Sequence, residues 1–218
     1  MSKSYRLIVF DWEGTLGDTL GQLVHTLRQE ANRLQLGEFN EDLARKYLMM
    51  GMPFAISQLF PQLTLRQQEE LIEAVQYTPS SRSQVYLLPG VNAILNQLAQ
   101  AGIEMAVASN KSQNSLTRVL QNSGVGAFFN VTRTASQAPA KPCPQMLEEI
   151  IDFCGVDRTQ TLMVGDSVSD IEMAIRLDVD AVGIDFYYQE SQRKALKEAG
   201  ALQVFTNYQE FANYLKLP

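Results

Sequence analysis

Runs of apolar residues divide most of the chain into alternating strands and helices. Residues 7–10, Leu-Ile-Val-Phe, form a continuous apolar run that is typical of a strand buried on both faces of a parallel sheet. Shorter or similar runs recur in the second half, at residues 103–108, 128–132, 161–164, 182–184 and 204–205. A capping-box pair, Ser169 with Glu172, predicts the start of one intervening helix. The alternation predicts an α/β class: a Rossmann-like parallel sheet core with helices on both faces.

Between residues 18 and 83 the pattern changes, because apolar positions recur at helical spacing and no strand pattern interrupts them. Residues that cap helices or suit their first turn mark the expected helix starts. They are the capping-box pairs Thr19/Gln22 and Thr64/Gln67, together with Asn40 and Pro53. The polar stretch 78–83 is typical of a linker. The sequence therefore predicts a helical cap at residues 18–83, inserted after the first strand into a core of residues 1–17 and 84–218.

Composition and charge argue against some classes of binding partner. Acidic residues outnumber basic ones by 24 to 18, the net charge is −6, and no basic stripe is visible, so we expect no nucleic-acid partner. No apolar segment approaches the length of a membrane span, and the first apolar run is too short for a secretory signal. The two cysteines lack metal-site spacing and are expected to be reduced. These features predict a cytoplasmic protein with no membrane partner.

Polar side chains follow the carboxyl ends of three predicted strands, and a lysine lies in a loop that can reach them. They are Asp11, Glu13, Ser109, Asp166 and Asp170, with Lys141 as the lysine. Because the carboxyl ends of parallel strands lie at one edge of a sheet, we expect one shared site. Several carboxylates at close range need a compensating cation, and an all-oxygen donor set favours Mg²⁺. Mg²⁺ recruits phosphate oxygens, so the arrangement predicts phosphoryl transfer.

The same segments, in this order, resemble the four motifs of the haloacid dehalogenase-like hydrolases. Residues 11–15, DWEGT, resemble DxDGT, and residues 107–110, VASN, resemble the second motif. Lys141-Pro142 is similar to the third motif, and residues 164–170, VGDSVSD, to the fourth, GDxxxD. The inserted helices look like the small helical cap of this family. Residues 109–111, Ser-Asn-Lys, and 89–91, Pro-Gly-Val, are most similar to its phosphoglycolate phosphatase-like branch.

The resemblance implies a catalytic role for several residues. Asp11 would be the nucleophile that accepts the phosphoryl group as an aspartyl-phosphate. Glu13 would be the general acid toward the leaving group and then the base for water. Ser109 and Lys141 would hold the phosphoryl oxygens, and Asn110 would either contact the substrate or cap the next helix.

The resemblance also implies a cofactor and a substrate class. Mg²⁺ would be held by Asp11, the backbone carbonyl of Glu13 and Asp166, and Asp170 would act through water or orient the ligands. The implied function is a magnesium-dependent phosphatase of a small phosphorylated metabolite, with phosphoglycolate as one candidate.

The chain departs from the family pattern at Glu13, where most family phosphatases have Asp. The reference pKa values of the two acids differ by only about 0.4 unit. The extra methylene moves the carboxyl group by about an ångström, and such a displacement can cost about a hundredfold in rate. This departure leaves open a weakly active or non-catalytic binding or regulatory member. A second alternative, a dehalogenase or phosphonate hydrolase, would use the same Asp nucleophile. The phosphonate reaction would need a Schiff-base lysine from the cap, where Lys46 is the candidate.

Overall fold

A computed structural model describes residues 4–77 and 85–217 of the chain. It contains two compact units, one made of Met1–Gly17 with Leu87–Pro218 and the other of Asp18–Tyr86. The stretch 78–83 that was interpreted as a linker lies outside the described residues, and so does the predicted domain boundary after residue 83. No helix of the described part combines the length and the apolar character that a membrane crossing requires.

The first unit is built on a six-stranded sheet in which every neighbouring pair is parallel. The strands are β1 Leu7–Phe10, β2 Glu104–Ser109, β3 Val131–Thr134, β4 Thr161–Gly165, β5 Asp180–Ile184 and β6 Val204–Phe205. Their order is β3-β2-β1-β4-β5-β6, so β1 lies in the middle, and its four residues are fully buried. Burial on both faces explains why β1 is apolar throughout. The predicted α/β class is confirmed.

Four helices are described in the second unit. They are α1 Thr19–Arg33, α2 Glu41–Leu48, α3 Met52–Leu59 and α4 Leu65–Tyr77. Their apolar faces meet in a common core that includes the fully buried Leu27, Ile56 and Phe60. Burying one such side chain contributes about 1.5–3 kcal/mol, so these contacts are the main source of stability for short helices of this kind.

Capping residues fix where these helices begin. Asn40 Oδ1 accepts a hydrogen bond from the Leu43 amide at 3.0 Å, as predicted for α2. Gln67 Oε1 accepts from the Thr64 amide at 2.9 Å, which confirms the capping box of α4. For α1 the prediction was wrong by one residue, because the cap is Asp18, whose Oδ1 accepts from the Gly21 amide at 2.7 Å.

The helices of the first unit follow the strands. They are α5 Val91–Gln100, α6 Gln113–Ser123, α7 Gln145–Cys154, α8 Val168–Ile175, α9 Glu190–Glu198 and α10 Tyr208–Leu215. The strand predicted at residues 128–132 instead covers Val131–Thr134, since Gly126–Phe128 closes a 3₁₀ turn before it. The capping box predicted at Ser169 was also wrong, because α8 begins with a box between Ser167 and Asp170.

Candidate active site

Three strand ends bring the motif residues together at the carboxyl edge of the sheet. Phe10, the last residue of β1, pairs with Val107 of β2 and with Val164 of β4. Asp11 follows directly, and its amide donates to the carbonyl of Val164 at 2.9 Å. Ser109 ends β2 and is buried. The sheet order reverses between β1 and β4, and such a switch point is where open α/β sheets bind ligands.

The loop after β1 turns sharply so that it passes close to the β4 loop. Leu16 and Gly17 donate their amides to the carbonyl of Trp12 at 3.0 and 2.7 Å. Gly14 has a φ of 72°, and a Cβ placed there would lie 2.1 Å from Oδ2 of Asp166. A side chain at this position would therefore both strain the backbone and displace a carboxylate of the site.

Lys141 uses all three of its ammonium donors inside the site. Its Nζ donates to Oδ1 of Asp11 at 2.6 Å, to Oδ1 of Asp170 at 2.6 Å and to the carbonyl of Ala108 at 3.1 Å. Burial lowers the pKa of Lys141, but the charges of Asp11 and Asp170 outweigh burial and raise that pKa above its ordinary value. Lys141 therefore stays charged and links the loop after β1 to the end of β2 and to the first turn of α8.

One lysine does not balance the carboxylates around it. Oxygens of Asp11, Asp166 and Asp170 lie within 4.8 Å of one another. Burial raises the pKa of Asp166 to about 8, and repulsion from the other two carboxylates adds to this effect. Burial also raises the pKa of Asp11 to about 6, although the ammonium of Lys141 opposes the shift. A cluster of buried carboxylates with raised pKa values is a site that a hard cation would stabilise.

Asp170 has both of its oxygens engaged in protein contacts. Oδ1 accepts from Lys141, and Oδ2 accepts from the amide and the hydroxyl of Ser167 at 3.0 and 2.6 Å. The side chain of Asp170 is fully buried, and a Cβ added to Gly165 would lie 2.4 Å from the Cβ of Asp170. Asp170 thus joins the start of α8 to the site lysine.

Asn110 links the β2 loop to the lysine loop. Its Oδ1 accepts from the backbone amide of Lys141 at 2.9 Å. The helix-capping alternative for Asn110 was wrong, because Ser112 is the cap of α6 and accepts from the Ser115 amide. Asn110 is exposed, and substrate contact through its amide group stays a prediction.

Glu13 forms an ion pair that sequence reasoning did not find. Its Oε1 lies 2.5 Å from Nζ of Lys111, whose own amide donates to the hydroxyl of Ser109 at 3.3 Å. The Glu13 side chain is 51 % exposed, whereas that of Lys111 is 17 % exposed. The signal that could have identified Lys111 is its place, two residues after Ser109 at the end of a site strand.

The last third of the chain supplies two further contacts to the loops of the site, through residues that belong to none of the four motifs. Tyr208, buried at the start of α10, donates its hydroxyl to the carbonyl of Thr15 at 2.6 Å. The side-chain amide of Gln192 on α9 donates to the carbonyl of Asp166. Both contacts stabilise loops that carry site residues. Tyr208 and Gln192 lie in ordinary helices outside the four motifs, so no sequence pattern indicates such a role.

Comparison with known proteins agrees with this geometry. Residues 8–184 match the model of the haloacid dehalogenase-like hydrolase family. The chain is 25% identical to the phosphoglycolate phosphatase of Rhodospirillum rubrum, with 98% of this chain and 92% of that protein covered. It is 28% identical to the phosphoglycolate phosphatase of Vibrio cholerae, with 87% and 88% covered.

A solved structure shares the fold. It is a haloacid dehalogenase family hydrolase from Deinococcus radiodurans with bound phosphate and sodium. The TM-score is 0.73 at 18% identity, and the match covers 99% of this chain and 98% of that one. The family match spans most of the chain, and the curated relatives align over nearly their whole length. The chain therefore belongs to the haloacid dehalogenase-like hydrolases, in their phosphoglycolate phosphatase-like branch.

Proposed function

We propose that this chain is a magnesium-dependent phosphatase that hydrolyses a small phosphomonoester through an aspartyl-phosphate on Asp11. The observation that carries the proposal is the Asp11 carboxylate, buried at the switch point of the sheet and held at 2.6 Å by Lys141. Phosphoglycolate is the first candidate substrate, because the curated relatives carry the name phosphoglycolate phosphatase.

The proposed chemistry has two steps. A carboxylate oxygen of Asp11 attacks phosphorus, the bond from phosphorus to the ester oxygen breaks, and Glu13 gives a proton to the departing alcohol. Glu13 then takes a proton from water, which attacks the aspartyl-phosphate and releases inorganic phosphate with Asp11 restored. Lys141 and Ser109 stabilise the phosphoryl oxygens, and Lys141 reduces the repulsion between Asp11 and the incoming phosphate.

The donor set fits Mg²⁺. Carboxylate oxygens of Asp11 and Asp166 and the backbone carbonyl of Glu13 would hold the ion, and nothing softer than oxygen is among these ligands. When bound, Mg²⁺ would neutralise carboxylate charge and accept a phosphate oxygen as ligand. Asp170 has both oxygens committed to Lys141 and Ser167, which supports an orienting role over direct coordination.

A matched pair of proteins tests the function. Wild type and Asp11→Asn are assayed for phosphate release from phosphoglycolate, p-nitrophenyl phosphate and a panel of phosphorylated metabolites, with Mg²⁺ and with EDTA. We expect Mg²⁺-dependent turnover by the wild type and a loss of at least about a thousandfold in the variant. Equal rates in the two proteins would rule out the proposed nucleophile.

A second candidate, a non-catalytic binding member, is favoured by one observation: the carboxyl group of Glu13 is paired with Lys111. Beryllium fluoride with Mg²⁺ separates the two functions. Formation of a beryllium fluoride adduct at Asp11 in a protein that turns over no ester would support the binding role. The acidic cluster beside Asp11 argues against a dehalogenase, since displacement of halide needs no metal site.

The remaining features of the proposal concern the helical unit, the cellular location and the partners. The helical unit Asp18–Tyr86 is proposed to be the cap that selects the substrate. A cytoplasmic location and the lack of a nucleic-acid partner stay predictions from the acidic composition. Fractionation of cells that express the protein would test the first of these, and an electrophoretic shift assay would test the second.

A further inference from the structure

The two lysines of the site differ in what they can still bind. Lys141 is buried, and its three donors are taken by Asp11, Asp170 and the carbonyl of Ala108. Lys111 donates one of its three ammonium hydrogens to Glu13 and retains a solvent-exposed fraction of 17 %. Lys111 is therefore the lysine that can bind a group beyond the phosphoryl oxygens.

Lys111 lies beside Glu13, the residue that marks the proposed leaving-group side of the site. Glu13 is the group proposed to protonate the ester oxygen, so that oxygen comes within hydrogen-bond reach of Glu13. The ammonium of Lys111 is 2.5 Å from Oε1 of Glu13, and hence close to the first atoms of the departing alcohol. Its backbone is fixed by the hydrogen bond to Ser109, and its side chain is mostly buried, so the ammonium has limited freedom.

The charge of Lys111 favours an anionic group as its ligand. The four carboxylates of Asp11, Glu13, Asp166 and Asp170 outnumber the two lysines, and a negative leaving group that approaches Glu13 would be repelled. An ammonium beside Glu13 reverses that repulsion locally. A neutral alcohol would gain nothing from Lys111, which would stay paired with Glu13.

We propose that Lys111 is a specificity-determining residue that binds a carboxylate on the carbon bearing the ester oxygen. The preferred substrates are then phosphate esters of 2-hydroxy carboxylates, and esters of neutral alcohols are poorer substrates. This inference rests on the proposed function, because Glu13 marks the leaving-group side. It assigns to one residue a preference that Asp11, Ser109, Lys141 and Asp166, which are proposed to bind the phosphoryl group and the metal, do not explain.

The test compares phosphoglycolate with ethyl phosphate, which replaces the carboxylate by a methyl group. Lys111→Met removes the charge and keeps most of the stem, and Lys111→Arg keeps the charge. The matched control is Lys194→Met, which removes an exposed lysine on α9. We expect the ratio of kcat/KM for phosphoglycolate to that for ethyl phosphate to fall about 10- to 100-fold in Lys111→Met, chiefly through KM. Lys111→Arg keeps more of the ratio than Lys111→Met, and the control keeps all of it.

Two results would overturn the inference. One is an unchanged ratio in Lys111→Met, with both esters slowed equally, which would mean that Lys111 only positions Glu13. The other concerns binding without turnover, measured by calorimetry in the Asp11→Asn background. If phosphoglycolate binds no more tightly than ethyl phosphate there, or the difference survives Lys111→Met, Lys111 is not the carboxylate site. If the wild type hydrolyses neither ester but the binding difference depends on Lys111, phosphoglycolate is ruled out as the substrate, while the assignment of Lys111 as the carboxylate site is supported.

Discussion

Replacing Lys141 by methionine isolates the electrostatic balance of the site. The change leaves Asp11 and Asp170 buried without the ammonium that now lies 2.6 Å from each. Removing one partner of a buried ion pair costs about 3–5 kcal/mol, and here one cation serves two carboxylates, so we expect a loss near the upper end, at about 5 kcal/mol at pH 7.5. For a chain of this length that corresponds to a fall in Tm of about 10 °C or more.

The pH dependence of this loss has a definite sign. Lys141 lowers the pKa of Asp11 and of Asp166, so both rise further when its charge is removed. An acid whose folded pKa lies above its unfolded value of 3.8 costs stability once the pH exceeds 3.8, and the cost grows until the folded pKa is passed. Below pH 8 the cost from Asp166 is the same in both proteins, because its pKa is already about 8 in the wild type. The deficit of Lys141→Met should therefore shrink as the pH falls from 7.5 to about 6, the wild-type pKa of Asp11, by up to about 1.4 kcal/mol per unit.

Trp12 provides the assay. It is the single tryptophan of the chain, and it is buried in the loop that carries Asp11, so its fluorescence follows unfolding of this unit. Urea unfolding is compared among wild type, Lys141→Met, Asp170→Asn and the double variant, with Lys194→Met as a surface control expected within about 0.5 kcal/mol of wild type. In the single Asp170→Asn variant, the NH₂ group of the new side chain faces either the ammonium of Lys141 or the amide and hydroxyl of Ser167. All of these groups are donors, so either orientation of the amide places two donors against each other.

The double variant, Lys141→Met with Asp170→Asn, tests the electrostatic explanation most directly. With the lysine gone, an asparagine at position 170 can keep its oxygen toward Ser167 and turn its NH₂ group toward the methionine. One carboxylate has also been removed. We expect the double variant to be at least about 1 kcal/mol more stable than the sum of the single losses implies. Additive losses, or a Lys141→Met deficit that does not change with pH, would refute the electrostatic reasoning.

Two further substitutions and one measurement on the wild type probe the site. Gly14→Ala places a Cβ against Asp166, so Mg²⁺ affinity measured by calorimetry should fall at least about tenfold. Tyr208→Phe leaves the buried carbonyl of Thr15 without its donor, and urea unfolding should show a loss of about 1–3 kcal/mol. Because the pKa of Asp166 is raised to about 8, Mg²⁺ binding at pH 7 should release about one proton, detected from the heats in two buffers, and the release should vanish near pH 9.5.

Each of these predictions has an outcome that contradicts it. Gly14→Ala with the Mg²⁺ affinity of the wild type would mean that the loop can move away from Asp166. Tyr208→Phe with unchanged stability would mean that water replaces the phenol. Proton release that is the same at pH 7 and pH 9.5 would mean that a group other than Asp166 loses the proton.

The sequence predicted the parts of the site that depend on strand ends. Apolar runs located β1, β2 and β4, and the polar residues after them had to share an edge because parallel strands point the same way. Asp11, Ser109 and Asp166 are therefore placed by topology alone. This reasoning needs no side-chain conformation. The sheet order confirms the shared edge, and the catalytic roles of these residues stay predictions.

Contacts that depend on side-chain direction escaped the same reasoning. The pair between Glu13 and Lys111 spans 98 residues and exists because two strand-end loops turn toward each other. The cap of α1 moved to Asp18 because its carboxylate reaches the Gly21 amide, although the capping-box spacing pointed to Thr19. Spacing identifies residues that are able to cap a helix, and the backbone path decides which of them does so.

The shared role of Asp170 limits how this protein can change in length. The same carboxylate closes the first turn of α8 and holds the site lysine, so an inserted residue between Asp166 and Asp170 would rotate it away from both partners at once. Insertions are normally tolerated in surface loops. In the segment between Asp166 and Asp170, by contrast, sequence variants should differ in residue type but keep the same number of residues. A designed variant should also keep the length of this segment.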